Sequence, residues 1–136
     1  MGECMIEADF YNYLKNNVEL TSLIPASNIY LGQIPDNVKM PYLLLEIFNG
    51  VRTPMGARRR EITNPFKVSV YVDSANKVKG KIIIEKALSI LENLRGAVAS
   101  TDDVVVTCNS IGTVFTIGET LAYSFTGRIR YIDIVV

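Results

Sequence analysis

Met40–Asn49 (MPYLLLEIFN) and Phe66–Asp73 (FKVSVYVD) enclose the polar stretch 50–65, GVRTPMGARRREITNP, and the reading of these three segments decides the fold. Both outer segments are rich in β-branched and aromatic residues at strand length, so each is expected to be a buried strand. The run Leu43-Leu44-Leu45 is apolar without alternation, as expected where both faces of a sheet are covered. Val68, Val70 and Val72 instead alternate with Lys67, Ser69 and Tyr71, which gives the second strand one better-buried face. The stretch between them holds two glycines, two prolines and Arg58-Arg59-Arg60. It reads as an irregular, flexible loop over about residues 50–64. Unstructured connections beyond roughly 12–15 residues are uncommon in compact domains and are functional or disordered where they occur.

Working outward, Ile6, Phe10, Tyr13 and Leu14 recur at helical spacing, so an amphipathic helix is expected over about residues 5–17. Val18–Leu23 reads as one further turn before Pro25, and Asn28–Leu31 as a short strand. The following GQIPDNVKMP carries two prolines and is barred from a central sheet position. Downstream of the second strand, Ser74 can cap a long helix from about Ala75 to Leu94. Ile83, Ile84, Ala87, Ile90, Leu91 and Leu94 fall on one stripe of that helix, and Gly80 on the same stripe would allow close approach to a sheet. Val78 and Ile82 point the other way, either as ordinary exposed apolar residues or as a contact site for another chain. Arg95-Gly96 supplies a cation and then a glycine at the helix end.

The C-terminal third is strand throughout: Asp103–Ile117, a turn at Gly118-Glu119-Thr120, then Leu121–Val136. A three-residue loop opposes Ile117 to Leu121, Phe115 to Tyr123 and Val106 to Ile132; a two-residue loop opposes Phe115 to Ala122. The first register gathers the apolar side chains on one face and is preferred for that reason. In it the apolar face changes from even to odd positions toward the tip, either at a bulge near Gly112 or because base and tip pack on different things. The tip face of Ile111, Phe115, Ile117, Leu121, Tyr123 and Phe125 is then expected to bury against a neighbouring subunit. The fold expected is a single α+β domain over residues 1–136. It has a mostly antiparallel sheet with a long C-terminal β-hairpin over about 103–136, one long helix packed on the sheet, and an N-terminal helix.

The totals narrow the function classes. The chain has 136 residues, an apolar fraction of 49% and a charged fraction of 21%, ordinary values for one globular domain with its own core. No apolar run reaches the ~20 residues of a membrane span, and MGECMIEADF lacks a basic-then-apolar leader pattern. Cys4 and Cys108 have no metal-ligand spacing and read as reduced thiols of a cytosolic protein. With no histidine, the commonest general base and metal ligand is missing. Asp102-Asp103 reads as a solvated turn and Cys108 as a mid-strand core residue, and the glycines form no phosphate-cradling pattern. No catalytic, metal or cofactor site is expected, and the chain reads as no enzyme. Net charge is zero, yet residues 52–86 hold nine basic side chains against three acidic ones, a local excess of six. That asymmetry suits head-to-tail self-association or docking on a charged protein surface. Arg58, Arg59 and Arg60, with Arg52, read three ways: as a solvated loop, as a segment ordering against a partner protein, or as phosphate ligands.

The order of parts resembles the tail completion or tail terminator proteins of long-tailed bacteriophages and related prophage particles. The Met40-Pro41-Tyr42-Leu43-Leu44 strand opening and VSVYVDSANKVKGKIIIEKALSIL carry the resemblance, which spans about Ile6 to Val135. It implies a small α/β subunit forming a ring, a hexamer, that caps the head-proximal end of the tail tube. The partners implied are further copies of the chain, the tail tube protein, and a head connector or head-closure protein. DNA is only cargo passing through the ring, and no membrane or cofactor is involved. The location implied is the neck of a virion assembled in a bacterial cytoplasm. Within this picture Arg52, Arg58, Arg59 and Arg60 would contact tube or connector. Val78, Ile82 and the hairpin-tip residues would contact adjacent subunits. The arginine triplet is a departure that the resemblance does not predict. Another neck protein and a nucleic-acid-binding module are the alternative readings.

Overall fold

The computed structural model describes the backbone of residues 2–56, 58–92, 94–98 and 101–134, and the side chains of these outside 2–5, 97, 101–103, 113–117 and 134. The amphipathic N-terminal run is helix α1 (Gly2–Lys15), with Ile6, Phe10 and Leu14 fully buried and Tyr13 turned outward. Asn17 breaks it and starts α2 (Val18–Thr21) by accepting the Leu20 N–H on its side-chain oxygen at 3.1 Å. Strands β1 (Ile29–Leu31) and β2 (Tyr42–Ile47) follow and pair in parallel. Among the described residues every other pairing in the sheet is antiparallel.

The segment expected to be an irregular loop is instead a paired hairpin. Strand β3 (Val51–Gly56) returns as β4 (Arg59–Asp73), with Val51 opposite Thr63 and Thr53 opposite Glu61. β2 and β3 lie along the same edge of β4 as one strand interrupted at 48–50. Phe48 still donates its N–H to the Pro65 carbonyl (2.8 Å), after which Asn49 and Gly50 pass the single residue Asn64. One extra residue on one strand is a β-bulge, which bends and further twists the strand that carries it. Gly50 is required there: a Cβ would lie 1.5 Å from the Thr63 carbonyl oxygen.

Asp73, not Ser74, caps the next helical segment, accepting the Ala75 N–H at 3.2 Å. A 3-10 turn over Ser74–Asn76 leads into α3 (Lys77–Glu92). Gly80, Ile83, Ile84, Ala87 and Leu91 form its buried stripe as the spacing predicts, and Leu94 just beyond is buried too. At Gly80 a Cβ would meet a Val72 methyl at 2.7 Å, so the glycine brings the helix down onto β4.

The C-terminal third holds β5 (Arg95–Val98), which the sequence reading left out, then β6 (Thr101–Cys108), β7 (Gly112–Ile117) and β8 (Thr120–Ile134). The tip register differs from the preferred one. Ile117 faces Thr120, so the loop is the two residues Gly118-Glu119, with Gly118 at φ +61°. A positive φ is what a tight hairpin turn demands, and it overrides the preference for grouping apolar residues at the tip. Val106 faces Ile129, not Ile132. An irregularity does fall beside Gly112, and a second, between Thr113 and Thr116, reverses its change of face. Between the pairs Cys108–Gly127 and Gly112–Ser124, residues 109–111 pass only Phe125 and Thr126.

The sheet order is β1-β2-β4-β8-β6-β5, with β3 joining the free edge of β4 and β7 that of β8. β4 and β8 pair along all fifteen residues of each, from Arg59–Ile134 to Asp73–Thr120. That is a central ribbon about 50 Å long. One face carries Ile62, Phe66, Val68, Val70, Val72, Phe125, Ile129 and Tyr131 into the core beneath the helices. Phe66 anchors it, meeting Phe10 of α1 edge-on at 5.3 Å and Phe125 at 6.3 Å. The molecule is therefore α+β, a mixed and mostly antiparallel sheet with a long helix and an N-terminal helix on one face.

Candidate functional site

The arm formed by β3 and the start of β4 is the most exposed part of the described chain. All six residues of Val51–Gly56 are exposed, including Val51 at 69% and Met55 at 53%. Its turn is made by Gly56 (φ +76°) and Arg58 (φ +62°). Backbone pairing therefore holds the arm together with little side-chain burial. The four arginines do not act alike. Arg58 and Arg59 are exposed at the turn, and Arg52 lies on β3 opposite Ile62. Arg60 is tied down, donating from Nε (3.0 Å) and Nη2 (2.7 Å) to Oδ2 of Asp133 across the β4–β8 ladder. The triplet is thus split, because successive strand residues point to opposite faces.

A second exposed apolar site lies on α3. Val78 (69% exposed) and Ile82 (47% exposed) sit one turn apart, with Lys77, Lys79 and Lys81 exposed around them. Below it, Lys86 reaches Glu19 of α2 at 3.1 Å, an exposed pair of small energetic weight.

Of the hairpin-tip residues, those with described side chains turn toward the protomer's own core. Phe125 is only 2% exposed and belongs to the protomer's own core, so it has no surface to offer another subunit. The reason is topological: β8 is an interior strand, clamped by β4 on one side and β6 and β7 on the other. Ile111, Leu121 and Tyr123 are half-buried and pack against that same core. The side chains of Phe115 and Ile117, like those of Asp102 and Asp103, lie outside the described residues.

The sheet face away from the helices carries features that the sequence reading passed over. At its β1–β2–β4 end Tyr42 stacks on Tyr71 (4.9 Å, 22°) and Tyr30 meets Tyr42 edge-on. Burial first, and the neighbouring Tyr71 second, push the Tyr42 phenol above its ordinary 10.0. Toward the arm, Arg128 and Arg130 project from β8 into two adjoining open cavities of about 540 and 210 Å³, which share Thr107 and Arg128 in their walls. The signal was present in sequence: Arg128 and Arg130 alternate with buried Ile129 and Tyr131.

Cys108 is half-buried at the end of β6, and burial, with the Glu92 carboxylate as a second cause, raises its thiol to about 11. A thiol so protonated is a poor nucleophile. Among the described residues no group of three or more Cys, Asp or Glu side chains could hold a metal ion. No described helix is long and apolar enough to cross a membrane.

No family model matches the chain, and no curated protein does. Solved structures do share its fold. One similar chain belongs to the virion of a native gene transfer agent particle, with a TM-score of 0.77 and 15% identity over 93% of this chain and 94% of that one. A second solved chain is similar with a TM-score of 0.59 and 15% identity, over 100% of this chain and 99% of the other. At that identity the likeness is one of fold, and it extends over nearly the whole length of each partner.

Proposed function

We propose that this chain is a non-enzymatic structural virion protein whose copies form a ring, a hexamer, at the head-proximal end of a phage or prophage tail tube. The ring ends tube growth and joins the tail to the head. Its partners are further copies of itself, the tail tube protein, and a head connector or head-closure protein, with DNA passing through the lumen. The observation that carries the reading is the end-to-end likeness to a gene-transfer-agent virion chain. The arm supports it. An exposed hairpin bearing Val51, Met55, Arg58 and Arg59 suits docking on a tube or connector far better than it suits an isolated monomer. Val78 and Ile82, ringed by lysines, are the second contact, toward an adjacent subunit. The same likeness is compatible with another position in the neck, which is the alternative reading.

The test is reconstitution on tail tubes followed by negative-stain imaging. The protein should appear as a cap on one tube end. Arg59 and its neighbours belong to a strand of the central ribbon, so deleting the arm would damage the sheet, and substitutions are the cleaner probe. Val51→Asp with Met55→Ser, Arg58→Ala and Arg59→Ala should leave the far-ultraviolet spectrum unchanged and abolish capping. Uncapped tubes with the unmodified protein sink the terminator reading; capping by the substituted protein sinks the role of the arm.

A further inference from the structure

We infer that the trough on the open sheet face, floored by Arg128 and Arg130, is a docking site for an extended acidic, aliphatic-rich segment of a partner protein. The two arginines stand two residues apart on β8, on the same side, so their bases are about 6.6–6.8 Å apart. Both are exposed, and among the described residues neither side chain has a hydrogen bond or ion pair. Arg128 lies where the two cavities meet, and Arg130 lines the smaller one. An extended chain places alternate side chains at the same repeat, so carboxylates at positions i and i+2 would each meet a guanidinium. Paired Arg–carboxylate contacts are among the stronger charge-assisted hydrogen bonds.

The surroundings choose between anionic ligands. Phe48 (46% exposed) and Pro65 wall the larger cavity, and Val105 lines the smaller one. These surfaces suit aliphatic side chains. Glu61 also lines the smaller cavity, and Glu46 stands opposite Lys67 in the next strand pair. A nucleic-acid backbone bears a charge at every repeat and would be repelled at those points. A peptide can place neutral residues there. Within the trough lining Phe48 is the one exposed aromatic, less than the several aromatic platforms that single-strand binders use. The site adjoins the base of the arm through Glu61 and Thr63 but uses neither the turn arginines nor the lysine-ringed patch of α3, so it can be tested apart from the ring proposal.

The probe is a fluorescein-labelled decapeptide with Glu at two alternate central positions and Val or Thr elsewhere (the Glu–Val peptide), followed by anisotropy at low and physiological salt. Controls are a Lys–Val decapeptide and a ten-nucleotide single-stranded DNA. The Glu–Val peptide should bind, weaken as salt rises, and lose about tenfold or more in affinity with Arg128→Gln and Arg130→Gln together. Arg58→Ala with Arg59→Ala should change it less than twofold. Equal circular-dichroism melts for all variants keep the comparison clean, since both trough arginines are at the surface. The inference is overturned if the peptide fails to bind at millimolar concentration. It is overturned if the Arg128 and Arg130 changes leave binding intact, or if the DNA binds more tightly and depends on the same two arginines.

Discussion

Gly50 shows how narrowly one residue can be specified. A methyl group added there would sit 1.5 Å from the Thr63 carbonyl oxygen, inside bonding distance, so Gly50→Ala forces the two strands apart at the bulge. Such overpacking costs about 1–3 kcal/mol, and a urea titration should show a lower midpoint whose shift, multiplied by the m-value, gives that loss. Cys108 makes a second prediction at this scale. Its thiol is raised from 9.0 to about 11, so at pH 8 it should react with iodoacetamide at least tenfold more slowly in the folded protein than in denaturant. The sign for stability follows from the same shift. The neutral thiol is favoured in the folded state, so its contribution is complete below pH 9.0 and disappears as pH climbs toward about 11. Cys108→Ala should therefore lose less stability than the unmodified protein across that alkaline window in pH-dependent melts.

At the scale of elements, α3 has one side that folding depends on and one side that it leaves exposed. Ile84 is fully buried on the stripe facing the sheet, whereas Ile82 on the other side is 47% exposed. Ile84→Ala should cost about 2–5 kcal/mol through lost burial and the cavity left behind. Ile82→Ala should change monomer stability by less than about 0.5 kcal/mol. Chemical denaturation of the two variants checks both numbers. The helix pattern was fully legible, because a 3.6-residue repeat is written within sixteen consecutive residues. The arm was not. Its RRREITNP segment buries only Ile62 and Asn64, so the alternation that marks a strand is nearly absent. Backbone bonds to β8 hold it, and those leave no trace in composition. β5 was missed for a related reason: Arg95–Val98 is four residues long, and its second residue, Gly96, sits at φ +97°.

For the whole molecule, pairing partners far apart in sequence decided what the chain alone could not reveal. The strands of the C-terminal third were visible as apolar runs, but their register depended on the β4–β8 ladder, whose partners are 47 to 75 residues apart as Asp73–Thr120 and Arg59–Ile134. That ladder puts Phe125 inside, and so removes it from the surface where a free ribbon would have shown it. The open sheet face was hidden likewise. Arg128 and Arg130 become neighbours of Glu61, Thr63 and Val105 only after three separate strands meet.

The fifteen-rung central ribbon also has a mechanical meaning. It runs unbroken from beneath the helix layer to the arm turn, so tension applied at the turn loads its hydrogen bonds in shear, side by side, instead of unzipping them singly. The arm is a stiff strut rooted in the body, and whatever it grips is coupled directly to the layer under α3.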